Sequence, residues 1–311
     1  MASRAVPARP LGSTGLQVTA LCIGTSAIGS MPHLYGYEVD RDRALRTLRA
    51  VFAGPISFLD TSNSYARGDS ERLIGQVLAE LGGVPAGFLI ATKVDPDGSG
   101  DFSGARVRRS VAESRERLGL DHLPLVYLHD PERIAFEQAM GPGGPVEALQ
   151  ALKTEGIIGH IGVAGGPVDL LSRYADTRVF EVLLTHNRYT LVDRSAEPLL
   201  DQCQALGISV VNGAPFGGGM LAKGPAGQSR YAYREAPASV VAAVQRISKA
   251  CQRRGVPLAA AALQWSTRDD RITSTVVGIT RPERVDETLG LARWPIPSEL
   301  WSELGEAEPR A

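Results

Sequence analysis

Three apolar runs in this chain each end on an ionisable side chain. Phe58-Leu59 runs into Asp60, Gly87-Phe-Leu-Ile-Ala-Thr92 into Lys93, and Leu123-Pro-Leu-Val-Tyr-Leu128 into His129; five residues past Asp60 stands a phenol, Tyr65. Such runs, bounded by Gly and polar residues, are expected of strands buried on both faces. In α/β proteins chemistry collects at the carboxyl ends of strands, where loops vary over a rigid sheet. Each residue alone has a plain structural reading: Asp60 as a cap, Tyr65 as surface packing, Lys93 as a snorkelling side chain, His129 as a satisfied turn residue. Three successive strand ends carrying such groups rarely coincide by chance.

The four groups suit hydride chemistry at a carbonyl. When a nicotinamide delivers hydride, negative charge grows on the carbonyl oxygen and an acid must protonate it. A tyrosine serves if its pKa of about 10 is brought towards neutrality, and a cationic lysine beside it is expected to do that. Asp60 would hold Lys93 charged and in place, while His129 would donate to the same oxygen. Run backwards, the groups oxidise an alcohol, the cofactor carrying the redox step.

The elements that must position them follow a regular alternation. Helical spacing marks Asp40 to Ala53, Glu71 to Leu81, Arg106 to Leu118, Pro145 to Glu155, Pro167 to Asp176, Ser195 to Ala205, Ser239 to Arg254, Pro257 to Ser266 and Pro282 to Ala292. Core strands fall near residues 21, 58, 89, 125, 160, 182, 209 and 275. Buried strands alternating with helices suggest an open parallel sheet or a closed barrel, and eight units in this length favour the (β/α)8 TIM barrel. A short hairpin, turning between Gly12 and Gly15, precedes the first core strand. No composition shift marks a boundary, so residues 1–311 read as a single domain. Met31 to Tyr37 reads as an aromatic, mobile loop, and the glycine-rich stretch from Asn212 to Leu221 opens a long polar connection containing Tyr231 and Tyr233.

Composition narrows the partners. With 311 residues, 43% hydrophobic, and a net charge of −1, the chain can bury a large core and shows no bulk attraction to nucleic acid or an anionic membrane. A small molecule is the expected partner. Cys22, Cys203 and Cys251 are far apart and set in apolar or helical surroundings, which argues for buried free thiols. His33, His122 and His160 lack metal-ligand spacing, so no metal is expected. The start has no apolar core for a signal peptide and no run reaches the ~20 apolar residues of a membrane span, so a cytoplasmic location is expected. Nothing in the sequence sets an oligomeric state.

The tetrad Asp60, Tyr65, Lys93 and His129, spaced by 5, 28 and 36 residues, resembles that of the aldo-keto reductase superfamily. Leu11-Gly-Ser-Thr-Gly-Leu16, Ile23-Gly-Thr25, Asp60-Thr61, Ser70-Glu71, Thr92-Lys93, Leu128-His129-Asp130, Ile161-Gly-Val163, Ala214-Pro-Phe-Gly217 and Arg281-Pro-Glu-Arg284 extend the resemblance over nearly the whole chain. It implies an eight-stranded barrel that binds NAD(P) in extended form without a Rossmann unit, matching the absence of a convincing G-x-G-x-x-G before a helix. By the same resemblance the cofactor contacts are Gly24, Thr25, Ser26, Asp60, Ala164, Gly165 and His186. They continue through Gly213, Ala214, Pro215, Phe216, Gly217, Gly219 and Leu221 after the seventh strand, and Gly278, Ile279, Thr280, Arg284, Glu287 and Thr288 after the eighth. The glycines from Gly217 to Gly219 suit close approach to a pyrophosphate, or simple flexibility.

Departures from the family pattern sharpen the expectation. Ala164-Gly165 stands where a Ser-Asn pair usually holds the carboxamide, His186 replaces the usual Gln, and Gly213 replaces an aromatic that often stacks on the nicotinamide. His186, Asn187 or Phe216 would then hold that end. These departures resemble bacterial and plant aldose dehydrogenases acting on L-fucose, L-galactose or D-threo-aldoses, and a pyridoxal dehydrogenase. Gly278-Ile279 lacks the Lys-Ser often present in NADP-preferring members; Arg284 and Thr280 remain, and the balance leans to NAD. Three readings follow: a sugar dehydrogenase, an NADPH-dependent aldehyde or ketone reductase, and a redox-sensing regulatory subunit. A polar pocket would favour a sugar, since each hydroxyl needs a partner, and an apolar one built by Leu34, Tyr35, Tyr37, Tyr231 and Tyr233 a hydrophobic carbonyl.

Overall fold

Residues 6–305 are described by the structure, a computed structural model. Eight parallel strands form its centre: β1 (Leu21–Gly24), β2 (Phe58–Asp60), β3 (Leu89–Val94), β4 (Leu123–His129), β5 (Ile158–Gly165), β6 (Val182–His186), β7 (Ser209–Gly213) and β8 (Ile272–Gly278). Each pairs with the next in sequence and β8 pairs with β1, which closes the barrel. The expected TIM barrel is therefore present. So is the hairpin, with Ala8–Pro10 antiparallel to Gln17–Thr19.

The strand period of two decides what faces inward. Cys22, Phe58, Ala91, Leu125, Tyr127, Ala164 and Val211 form the apolar barrel interior, joined by Leu11 and Val18 of the hairpin. Their chain neighbours, among them Ile23, Leu59, Ile90, Val126, Leu128 and Val163, pack outward in the cluster shared with the helices. Asp60, Lys93 and His129 each lie two residues beyond an inward-facing one. All three therefore share the inner face at the carboxyl end.

Helices cover the outside where spacing predicted them. Arg41–Phe52 begins where Asp40 accepts from the Arg43 amide at 2.8 Å, and Gly104–Leu118 where Ser103 accepts from the Arg106 amide at 3.3 Å. Sequence reading departs from the structure between the main elements. The stretch read as a mobile loop contains a helical turn, Pro32–Tyr35, started by Pro32 and ended by Gly36, whose left-handed backbone returns its amide to the Pro32 carbonyl. The polar connection after β7 holds a small hairpin, Arg230–Tyr231 against Arg234–Glu235. Short helices at Phe136–Met140, Met220–Lys223 and Ser298–Gly305 complete the differences.

The helix Asp69–Leu81, which begins just after Tyr65, is located by a close crossing with Gly104–Leu118. A Cβ on Gly75 would lie 2.0 Å from the Arg117 carbonyl oxygen. Only a residue without a side chain fits there. Gly75→Ala should force the helices apart and cost about 1–3 kcal/mol, seen as a lower urea midpoint; an unchanged midpoint would mean that the crossing has slack.

Candidate active site

Lys93 and Asp60 form the floor of the site. Both are almost wholly buried, and Lys93 Nζ donates to Asp60 Oδ2 at 2.6 Å, to the Thr61 carbonyl at 2.7 Å and to Tyr65 Oη at 3.1 Å. Three ammonium protons thus meet three acceptors. Asp60 Oδ1 is buried and has no hydrogen-bond partner.

Tyr65 reaches this floor from a turn with strained backbone. Ala66 and Arg67 adopt positive φ of 50° and 56°, a conformation that costs non-glycine residues on the order of 1–3 kcal/mol each. A brace from the neighbouring helix holds it: the Arg117 guanidinium lies against Gly68 and donates to the Asn63 carbonyl at 2.9 Å and to Glu71 at 3.2 Å. Arg106 donates to Asn63 Oδ1 at 2.9 Å. Glu71 is fully buried and accepts from Thr92 Oγ1 at 2.6 Å; burial pushes its pKa up despite those partners.

The phenol does not titrate as expected from sequence. Burial, reinforced by the Asp60 carboxylate, pushes the Tyr65 pKa well above its ordinary value instead of towards neutrality. The reason is that the charge of Lys93 is matched at 2.6 Å by Asp60, which leaves desolvation to decide. Tyr65 therefore holds its proton at rest.

His129 faces Tyr65 edge-on, ring centroids 5.8 Å apart. Its Nδ1 lies 2.7 Å from Asp95 Oδ1. Asp95 accepts in turn from Ser62 Oγ at 2.5 Å and from the Ser64 amide at 3.3 Å. Burial alone would lower the histidine's pKa, but the Asp95 carboxylate outweighs it and the net direction is upward. Asp95, opposed by burial but held by His129 and Ser62, falls to about 2. Sequence reading missed Asp95 and Ser62. The signal was available, since each lies two residues beyond Lys93 or Asp60 and extends the inward parity past the strand end.

On the far side, Asp130 has positive φ and places Oδ1 3.7 Å from His129 Nε2 and 4.0 Å from His186 Nε2. The His186 ring lies over Gly166 and its Cβ beside Gly213, where a side chain on either glycine would crowd it. The Asn187 amide nitrogen is 3.2 Å from its Nδ1, so Nδ1 accepts and the proton sits on Nε2. Burial lowers the His186 pKa to about 4, which keeps the ring neutral. Asn187 Oδ1 is another buried acceptor without a partner.

The residues expected to hold a cofactor lie at the ends of six of the eight strands. Gly24 ends β1 and Thr25 and Ser26 follow it, and both the amide and the hydroxyl of Thr25 donate to the Asp60 carbonyl at 3.0 Å. Ala164 and Gly165 end β5, His186 ends β6, Gly213 ends β7 and Gly278 ends β8. Ala214, Pro215 and Phe216 lead into a tight turn, Gly217–Gly219. Leu221, Ile279 and Thr288 have buried side chains. Arg284 and Arg281 both donate to Glu287 Oε2, at 2.9 and 2.8 Å.

An aromatic roof faces this floor. The Tyr35 hydroxyl bonds Ser26 Oγ, and its ring meets Tyr233 edge-on at 5.9 Å and Tyr37 at 6.0 Å. Tyr231, expected with them, packs in the core instead and bonds Thr190 Oγ1 at 2.9 Å. Among the described residues no helix is long and apolar enough to cross a membrane.

Residues 20–309 match the model of the aldo/keto reductase family. The chain belongs to this family. It is 31% identical to the D-threo-aldose 1-dehydrogenase of a Pseudomonas species, over 95% of each chain. It is 33% identical to the L-galactose dehydrogenase of Arabidopsis thaliana, over 90% of this chain and 86% of that one. Among solved structures, an aldo-keto reductase from Bacillus halodurans in its holo form superposes with a TM-score of 0.80 at 22% identity, covering 97% of this chain and 96% of that one. The chain is thus an oxidoreductase of a family that works with NAD(P).

The buried pair on the floor yields a stability test for this aldo-keto reductase. Asp60→Ala would leave Lys93 buried without its counter-ion and should cost about 3–5 kcal/mol. Calorimetric unfolding measures it; a loss below about 1 kcal/mol would show that water reaches the ammonium.

Proposed function

We propose that this chain is an NAD-dependent aldose dehydrogenase in which Tyr65 is the general acid and base. The observation that carries the reading is the meeting of Tyr65 Oη, Lys93 Nζ and the His129 ring above the buried Asp60, with the polar pair Asp130 and His186 beside them. The similarity to two sugar dehydrogenases over most of their length supports it.

A nicotinamide cofactor fits the residues present. Asp60 Oδ1 and Asn187 Oδ1 are buried acceptors lacking donors, and ribose hydroxyls and a carboxamide carry donors. Residues after β1, β5, β6, β7 and β8 would hold the cofactor, whose bound nicotinamide exchanges hydride with the substrate carbon. In reduction Tyr65 gives its proton to the substrate oxygen, and Lys93 stabilises the phenolate left behind. In oxidation Tyr65 must first give its proton to solvent, and the phenolate, stabilised by Lys93 at 3.1 Å, then takes the proton of the substrate hydroxyl. His129 Nε2, the ring atom not engaged by Asp95, shares the oxygen's charge. Asp130 and His186 supply an acceptor and a donor for further hydroxyls, as a polyhydroxylated substrate requires.

A reductase of apolar carbonyls is the second reading, favoured by the roof of Tyr35, Tyr37 and Tyr233. Absorbance at the reduced-nicotinamide band separates the two. L-fucose, D-arabinose, L-galactose and pyridoxal are offered with NAD or NADP, and simple aldehydes with either reduced cofactor. Sugar oxidation with NAD is the expected result; turnover of aldehydes alone with NADPH would overturn the dehydrogenase reading. In the same assay Tyr65→Phe should bind cofactor normally while kcat falls on the order of 10²–10⁴-fold, and unchanged turnover would remove Tyr65 from the chemistry.

The slight lean to NAD, drawn from Gly278-Ile279 in place of Lys-Ser, is supported by Glu287, which occupies both Arg281 and Arg284. A 2′-phosphate would have to displace a carboxylate from these arginines. Glu287→Gln should shift kcat/KM towards NADP by about tenfold, the equivalent of about 1.4 kcal/mol; no shift would place the discrimination elsewhere.

A further inference from the structure

The structure leaves one cluster beside the tetrad without a role. Asp95 stands just past β3, 1% exposed in its side chain, with one oxygen on His129 Nδ1 at 2.7 Å and the other on Ser62 Oγ at 2.5 Å and the Ser64 amide at 3.3 Å. Ser62 Oγ also lies 3.2 Å from the same ring nitrogen. A buried carboxylate held by a hydroxyl and an amide, facing one edge of an imidazole, has a definite consequence. A carboxylate only accepts, so Nδ1 must carry hydrogen whether the ring is neutral or charged.

We propose that Asp95, seated by Ser62, is a positioning residue that fixes the proton on His129 Nδ1 and makes Nε2 the single atom of the ring that exchanges a proton with solvent, and so sets whether His129 accepts from or donates to the substrate oxygen. This rests on the reading of His129 as a group that binds the substrate oxygen. Neutral His129 then presents a lone pair at Nε2 and accepts a hydrogen bond from a substrate hydroxyl. Imidazolium presents an N–H at the same place and donates to a carbonyl oxygen. One ring position thus serves both directions, and Asp95 keeps the charged form accessible in a buried site.

Every charged or titratable neighbour of the ring enters this balance. Asp95 and Lys93 face it from β3 and its end, Ser62 and Tyr65 from the loop after β2, Asp130 and Glu132 from beyond β4, and His186 from β6. Lys93 opposes protonation, but Asp60 matches its charge at 2.6 Å. His186 is kept neutral by burial. Asp95 and Asp130 favour the imidazolium, and Asp95 is the nearer by 1.0 Å, at 2.7 against 3.7 Å.

The test is nitrogen NMR of the wild-type protein labelled with ¹⁵N-histidine and titrated without cofactor, the His129 signals being assigned by their loss in His129→Gln. On the basic side of its titration His129 should show a protonated Nδ1 and a bare Nε2; the opposite tautomer would overturn the proposal without reference to any variant. In Asp95→Asn the His129 pKa should fall by about one unit or more, and the limb of the kcat/KM pH profile that follows His129 should move to lower pH by the same amount. Asp95→Glu, which restores the carboxylate, should bring both back towards wild type. An unmoved pKa in Asp95→Asn overturns the proposal, and a pKa that moves while the kinetic limb stays overturns the role in turnover. Failure of the Tyr65 assignment is distinguishable, because it appears as undiminished turnover in Tyr65→Phe and leaves the tautomer unaffected.

Discussion

The site depends on an ion pair out of water. Taking an ammonium and a carboxylate into a barrel costs several kcal/mol for each, and only close geometry with further hydrogen bonds offsets it. Lys93 meets that condition through Asp60, Thr61 and Tyr65 together, so strand β2, the residue after it and the loop beyond must all be in register with β3. The register is set by parallel pairing of Asp60 with Ala91 and of Lys93 with Tyr127. An apolar pair of similar volume would stabilise a barrel at least as well. That the chain places two charges here is accordingly better explained by chemistry than by folding.

Beneath the pair the interior is apolar, and this sets the proton affinities above it. Cys22 and Tyr127 form part of the floor, and burial drives both of their pKa values well up, Asp60 adding to the effect. The same desolvation acts on the three rings at the surface of the floor with different results. Tyr65 goes up because the Asp60 charge reinforces burial, His129 goes up because Asp95 overrides burial, and His186 goes down because burial, joined by the charges of His129, Arg188 and Lys93, outweighs Asp130. One dielectric environment thus yields a proton-bearing phenol, an imidazole whose charged form is favoured and a neutral imidazole: burial disfavours the phenolate and the imidazolium alike, and the nearby charges separate the two histidines.

Much of this is legible in the sequence because a strand's period is two and has no slack. Once the apolar runs are read as strands, parity alone assigns Asp60, Lys93 and His129 to one face. The direction of the Tyr65 pKa is not legible, since it depends on how fully Asp60, 33 residues before Lys93, neutralises it. Asp95 and Ser62 are harder to see because they lie past the last apolar residue, where the run no longer marks the strand, although the backbone continues the alternation for one more step. Tyr231 and Tyr233 share a residue type and a place in the sequence. Tertiary packing separates them, burying one under the glycine turn and leaving the other against Tyr35.

Floor and roof therefore answer to different constraints. The floor side chains stand on strands whose positions are locked by neighbours on both sides, so the geometry around Tyr65 cannot vary without unfolding the barrel. Tyr35, Tyr37 and Tyr233 stand on a four-residue helical turn, the residues beyond it and the two-residue turn of a small hairpin, joined chiefly by ring contacts and by the bond of Tyr35 to Ser26. Such segments can be exchanged or reshaped at little cost to the core. On the proposed reading the reaction is set by the floor. The choice between a sugar and an apolar carbonyl is then a contest between Asp130 with His186 on one wall and three phenol rings opposite. Rings can stack on the C–H face of a sugar as well as on an apolar carbonyl, whereas Asp130, whose Oδ2 accepts from Arg133 at 3.0 Å, keeps Oδ1 towards the site, and an apolar substrate covering that oxygen leaves it unsatisfied. That asymmetry is what tilts the contest towards the sugar.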